Sequence, residues 1–253
     1  RRSLGGSASP RTRDALRVKA MILAAGIGRR LRPLTDKTPK ALIEIEGTTM
    51  LELVTRRLKA AGVTELVVNA HHHAQQVADF LSAKDGFGLR VEVSREDDLL
   101  LDTGGGLKKA SWFFDDSKPF LVHNVDVLSD IDLPALYLAH QQSGALATLA
   151  VHDRSTKRRL LFSPEGRLLG RAIETNPLGT QALAFSGVYA VSPILFPLLK
   201  ESGVFSITDA FARLAAEGRE IRAFRCAGYW ADIGDAAKLE AARRLARERG
   251  LPA

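Results

Sequence analysis

The amino-acid sequence predicts an α/β fold: a Rossmann-like, mixed and mostly parallel central sheet with helices on both faces, and a smaller antiparallel patch in its second half. Three observations carry this. Over residues 21–81, apolar β-branched runs alternate with segments of helical apolar spacing, the order of βαβ units that build a covered parallel sheet. The first run breaks at Gly26 and Gly28 into a cationic loop. Beyond Ala145 the runs are joined by short turns such as Ser163-Pro164-Glu165-Gly166, which predicts antiparallel pairing. With 253 residues the chain can bury a sizeable core, and we assign one domain to residues 18–253.

Residues 1–17 are rich in Arg, Ser and Gly, too poor in apolar side chains to build a core, and without the apolar centre of an export signal; a disordered extension is expected there. Residues 21–25 read as a buried strand, and residues 41–45 as a short extended run after the loop. Met50, Leu51, Val54, Leu58 and Ala61 share one helical face, and Gly62 ends it. Residues 65–70 form a β-branched strand, residues 74–81 a second helix and residues 89–94 an alternating strand. Asp102-Thr103 and the glycines Gly104, Gly105 and Gly106 then open a helix through Leu107, Ala110 and Trp112, where backbone could lie flat against a ligand.

Residues 119–124 are a third buried strand, delivering Asp126 to its carboxyl end, where ligands gather in open α/β sheets. A helix is expected over residues 133–142, followed by strands over 145–151, 160–162, 168–173 and 182–191. Ser206 is the expected N-cap of a helix through Ala210, Phe211 and Leu214. A strand over residues 220–225 leads to Gly228-Tyr229-Trp230-Ala231-Asp232-Ile233-Gly234 and a final helix over residues 236–249.

The loop after the first strand carries Arg29, Arg30, Arg32, Lys37 and Lys40, and glycine lets backbone N–H groups approach an anion closely, so a polyphosphate fits there. The dinucleotide fingerprint fails because Leu31 stands where its third glycine belongs, and the P-loop fails for want of Gly-Lys-Ser/Thr. What the stretch does resemble is the opening signature of the sugar-phosphate nucleotidyltransferases, G-x-G-x-R-L-x-P-L-T followed by P-K, through Gly26, Gly28, Arg30, Leu31, Pro33, Leu34, Thr35, Pro39 and Lys40. Trp230-Ala231-Asp232-Ile233-Gly234 is similar to the same family's closing motif.

That resemblance spans residues 18–234 and implies the nucleotide-diphospho-sugar transferase fold. It also implies nucleotidyl transfer from a nucleoside triphosphate to a sugar 1-phosphate, with release of pyrophosphate. It implies that main chain at Leu23, Ala24, Ala25, Gly26, Gly28, Thr103 and Gly104 binds the nucleotide. Arg30 would neutralise the leaving pyrophosphate, Lys40 would steady the α-phosphate, and Asp126 and Asp232 would ligate Mg²⁺. The sugar would meet Asn124, Glu174, Gly187 and Trp230.

The chain departs from the family at Val125, where glycine is usual, and at Thr175, where a lysine commonly helps hold the acceptor phosphate; either Arg171 or Lys157 substitutes, or the acceptor sits differently. An acidic residue before Thr-Gly-Gly-Gly resembles the bacterial branch that makes UDP-N-acetylmuramate. This implies UTP and N-acetylmuramate 1-phosphate as substrates, in peptidoglycan recycling. The alternatives are a guanylyl- or cytidylyltransferase for heptose or mannose 1-phosphate or phosphocholine, and a nucleotide-sugar-binding regulator without catalysis.

Other partners are disfavoured. Of the net +7, residues 1–17 carry five arginines against Asp14, so +4 lies there and only +3 on the remainder; nucleic acid is not an expected partner. No apolar run is long enough for a membrane span. Cys226 is the single cysteine, which fits a reducing compartment and predicts a cytoplasmic protein, as a monomer or small homo-oligomer. The run His71-His72-His73 has no partner at ligand spacing, and metal binding there is not expected.

Overall fold

The structure is a computed structural model that describes residues 18–249; the extension expected over residues 1–17 lies outside the described residues. The elements in chain order are β1 (Val18–Leu23), β2 (Glu44–Ile45), β3 (Thr48–Thr49), α1 (Met50–Ala60), β4 (Val63–Ala70), α2 (Ala74–Ala83), β5 (Arg90–Arg95), α3 (Asp102–Lys109), β6 (Phe120–Asn124) and β7 (Val127–Ser129). There follow α4 (Leu133–Ser143), β8 (Ala147–His152), β9 (Arg159–Phe162), β10 (Leu168–Arg171), β11 (Gln181–Val191), α5 (Ile207–Ala216), β12 (Ile221–Arg225), β13 (Trp230–Asp232) and α6 (Ala236–Arg249).

Strands β5, β4, β1 and β6 pair in parallel, as their intervening helices require, because a parallel return needs a crossover. Strand β11 then lies antiparallel against β6 over Val188–Val191 and against β9 over Gln181–Ala184, with β8 antiparallel along its other edge. β9 and β10 close as a hairpin through the turn at Ser163 to Gly166. The expected mixed, mostly parallel sheet with an antiparallel patch is present.

Alternation along β1 explains the two layers. Ala20 and Ile22 face one core with Leu51, Val54 and Leu58 of α1, Val77 and Leu81 of α2, and Leu239 and Ala242 of α6. Met21 and Leu23 face the other, with Leu107 of α3 and Ile207, Phe211 and Leu214 of α5. Burying each such side chain is worth about 1.5–3 kcal/mol, which is what a strand apolar on both faces supplies to a covered sheet.

Helix ends follow local chemistry in part. The Thr49 side chain accepts from Glu52 N at 3.2 Å, and that of Asp132 from Ala135 N at 2.9 Å. Ser206 is the N-cap residue of α5 as expected, but its side chain makes no capping bond: its hydroxyl lies 2.9 Å from Thr208 Oγ1, and the Ile207 N–H is taken by Thr103 Oγ1 at 3.0 Å. The extended run expected over residues 41–45 begins as a helical turn, Lys40–Leu42, before β2.

Register fixes what the sheet can present at its edge. Leu23 lies opposite Asn69 of β4 on one side and Asn124 of β6 on the other, so three strands deliver these residues to one level at their carboxyl ends.

Candidate active site

The loop leaving β1 is held from behind by a buried polar chain. Ala24 N donates to Asn69 Oδ1 at 2.7 Å, Asn69 Nδ2 donates to Glu96 Oε1 at 2.7 Å, and Glu96 Oε2 accepts from Leu101 N at 2.9 Å. Such buried groups stay only when each is satisfied. Gly106 makes room for them, since a Cβ there would come within 2.6 Å of Asn69 Nδ2.

Gly28 turns the loop back on itself. Its φ is 68° in the left-handed region, its carbonyl accepts from Leu31 N at 2.8 Å and Thr35 Oγ1 at 2.9 Å, and a Cβ would meet Thr35 and Lys40. The fold-back carries Lys40 into the site, where its ammonium pairs with Asp126 and is largely buried. Gly26, by contrast, is exposed with open space around its Cα.

Asp126 sits in the turn between β6 and β7, and Asp232 ends β13. β7 and β13 are an antiparallel pair with Asp232 opposite Val127, and Ile233 N donates to Asp126 O at 2.9 Å, so the pairing brings the two residues to neighbouring backbone positions, and both line one cavity. Lys238 of α6 donates to Asp232 Oδ1 at 2.6 Å and Oδ2 at 2.8 Å. A Cβ at Gly234 would lie 3.0 Å from both Asp232 Oδ2 and Arg30 Nη2, which brings Arg30 to the same edge. Two carboxylates at one cavity, each already facing an ammonium, are the hard oxygen donors that a divalent cation such as Mg²⁺ would take. Among the described residues no third His, Cys, Asp or Glu completes such a group.

Two cavities meet here. One, of about 340 Å³, is lined by Leu23, Ala25, Gly26, Lys40 and Asn69; the other, of about 680 Å³, by Arg154, Gly187, Trp230 and Asp232. Asp102, Thr103, Asn124 and Asp126 line both. Ligands filling the two cavities would therefore touch at Asp126.

Several expected site residues are placed otherwise. Gly104 does not offer its N–H to a ligand: it donates to Phe205 O at 2.9 Å, and the Phe205 ring fills the space a Cβ would take. Gly187 lines the larger cavity, and it also makes room for Asn124: its φ is 75° where the β11 register shifts, and a Cβ would come within 2.7 Å of Asn124 Nδ2. Ala24 is buried with its N–H engaged by Asn69. Glu174 lies exposed in the bend beyond β10 and lines neither cavity, because the chain leaves the sheet at Arg171. Val125 does not protrude as an obstruction; it is 4% exposed, with its N–H donated to Leu23 O at 3.0 Å.

Arg154 went unnamed in the sequence reading. Its guanidinium lies 3.7 Å from the Trp230 ring centroid, and Nη2 donates to Phe185 O at 2.9 Å. The ring is itself fixed, with Nε1 donating to Ser186 O at 2.8 Å. Burial lowers the Arg154 pKa from its ordinary value, against the opposing pull of Asp232. The available signal was its position just past the end of β8. Arg171, one expected substitute for the missing lysine, lines the larger cavity but pairs with Asp209, Nε to Oδ1 at 2.9 Å; Lys157, the other, does not line it.

The histidines do other work. His71 Nδ1 lies 2.5 Å from Glu96 O and His73 Nε2 3.2 Å from Asp36 O, two separate carbonyls. His123 is wholly buried beneath the site, and desolvation pushes its pKa down to about 3.

The family described as nucleotidyl transferase matches residues 19–249. The chain is 33% identical over 232 residues to the N-acetylmuramate alpha-1-phosphate uridylyltransferase of Neisseria meningitidis, covering 90% of this chain and 98% of the relative. It is 34% identical to the enzyme of that name from Caulobacter vibrioides, covering 90% and 96%. In fold it is similar to apo UDP-glucose pyrophosphorylase, with a TM-score of 0.78 at 18% identity, covering 93% of this chain and all of that one. A UTP-bound UGPase from Acinetobacter baumannii gives 0.74 at 20% identity, covering 91% and 93%.

Proposed function

The chain belongs to the nucleotidyl transferase family, and on that premise we propose that it joins the nucleotidyl group of UTP to N-acetylmuramate 1-phosphate, giving the UDP-sugar and pyrophosphate. The observation that carries this is the meeting of the two cavities at Asp126, beside Asp232, with Lys40 on the same carboxylate. The smaller cavity, walled by the β1 loop, takes the nucleotide, and the larger takes the sugar.

A phosphate oxygen is ionised at neutral pH, so the acceptor needs no general base; it needs in-line placement against the α-phosphorus and relief of anionic repulsion. Gly26 leaves open backbone at the phosphates, and Arg30 places a guanidinium where pyrophosphate departs. Lys40, buried on Asp126, moves its charge to the α-phosphate as the ligands enter. Asp126 and Asp232 would hold Mg²⁺, which when bound supplies charge neutralisation between the acceptor phosphate and the α-phosphate. The same reading sets the protein in the cytoplasm, in peptidoglycan recycling.

The test is pyrophosphate release with Mg²⁺, scanning UTP, GTP, CTP, dTTP and ATP against sugar 1-phosphates. Turnover with UTP and N-acetylmuramate 1-phosphate supports the reading. Turnover with GTP alone replaces it by a guanylyltransferase, and binding without turnover by a nucleotide-sugar-binding regulator.

A further inference from the structure

The larger cavity is lined by four cations, Arg154, Arg158, Arg171 and Lys238, and by four carboxylates, but the cations are not all engaged. Lys238 is paired with Asp232 and Arg171 with Asp209, whereas Arg154 and Arg158 form no ion pair among the described residues. On the reading above, the acceptor phosphate meets the cation that Asp126 and Asp232 would hold, which leaves these two arginines to another group.

Arg154 is also pre-organised. Stacking on Trp230 and the bond from Nη2 to Phe185 O fix the guanidinium plane, while Nε is buried without a partner. With Nη2 already given to Phe185 O and Nε buried, Nη1 and the second Nη2 hydrogen are the in-plane donors left, and that end of the guanidinium can meet a carboxylate. Arg158, exposed on the same wall, closes the loop from β8 to β9, and Arg159 Nη2 pins that loop by donating to Arg154 O at 2.9 Å. A neutral acceptor would leave the half-buried charge of Arg154 unanswered, and an acidic one would not.

We propose that Arg154 and Arg158 form a carboxylate-reading subsite, which makes the preferred acceptor a sugar bearing a carboxylate as well as its 1-phosphate. This rests on the sugar 1-phosphate reading above. It differs from that reading in assigning acceptor choice to two arginines.

The experiment compares kcat/KM for N-acetylmuramate 1-phosphate and N-acetylglucosamine 1-phosphate, which lacks the lactyl carboxylate, using whichever nucleotide supports turnover. The wild type should favour the acidic acceptor by roughly ten- to a hundredfold, the range set by charge-assisted hydrogen bonds. Arg154→Gln and Arg158→Gln should each narrow that ratio, Arg154→Gln more, and Arg154→Lys, which keeps charge without the fork, should fall between. Both acceptors are measured on one preparation, so partial misfolding cancels in the ratio. Equal use of the two acceptors by the wild type, or an unchanged ratio in both glutamine variants, overturns the subsite and leaves nucleotidyl transfer standing. No pyrophosphate release with any sugar 1-phosphate overturns the transfer reading itself, and the subsite with it.

Discussion

Lys238 holds its ammonium 2.6 and 2.8 Å from the two carboxylate oxygens of Asp232, so α6 supplies a cation to the carboxylate that faces the reaction cavity. The pair is partly exposed, at 45% and 28%, which keeps its strength modest. A divalent cation on Asp232 must displace this lysine. Lys238→Ala should therefore tighten Mg²⁺ or Mn²⁺ binding, by up to about fivefold if the pair is worth roughly 0.2–1 kcal/mol. Calorimetric titration with the metal alone reads this; weaker binding in the variant would mean the lysine assists the cation instead.

Asp126→Asn removes one of the two candidate cation-holding carboxylates and the partner of Lys40. Turnover should fall by about a hundred- to a thousandfold, the cost of one preorganised electrostatic contact of roughly 3–4 kcal/mol. Circular dichroism should show the fold retained. A rate within a few-fold of wild type would take Asp126 out of the chemistry.

Gly187→Ala tests whether that glycine serves the backbone and Asn124. The new Cβ would meet Asn124 Nδ2 at 2.7 Å in a residue already at φ 75°. We expect a loss of about 1–3 kcal/mol. At about 2–4 °C per kcal/mol for a domain of this size, the thermal midpoint should drop by several degrees. A midpoint unchanged within error would show that β11 relaxes locally without penalty.

Two buried histidines set an acid limit on stability. Desolvation lowers His123 to about 3 and His140 to about 4 from an ordinary value of 6.5. Both are neutral when folded, while the unfolded chain takes up protons first. Their contribution is thus complete above about pH 6.5 and is lost as the pH falls toward the folded values, by up to about 1.4 kcal/mol per pH unit for each histidine. Urea midpoints should decline from pH 7 to pH 5, and His140→Gln should flatten the decline. A pH-independent midpoint over that window would remove both groups from the balance.

The legible parts of the site are those where a local pattern states its own purpose. The glycine loop to Lys40 reads as an anion site because glycine, arginine and lysine are adjacent in the chain, whereas Trp230-Ala231-Asp232 is legible only through its resemblance to the family's closing motif. Glu174 misled because a strand expected to reach Ile173 leaves the sheet after Arg171, which turns the carboxylate outward. Gly104 was read as backbone lying flat against a ligand, but Phe205 fills the space beside it. A glycine announces close approach without saying what approaches.

The sequence by itself determined the layers: the period-two alternation of β1 and the helical spacing of α1 and α2 record which faces leave water, and burial acts on each segment almost independently. Only the tertiary structure decided the company of the reactive groups. Asp126 and Asp232 are neighbours because β13 adds to β7 in one register, Asn69 and Glu96 support Ala24 through the β1–β4–β5 ladder, and Arg154 comes over Trp230 where the turn after β8 reaches β13. Those encounters depend on strand pairing between distant segments, for which no local run of residues carries the information.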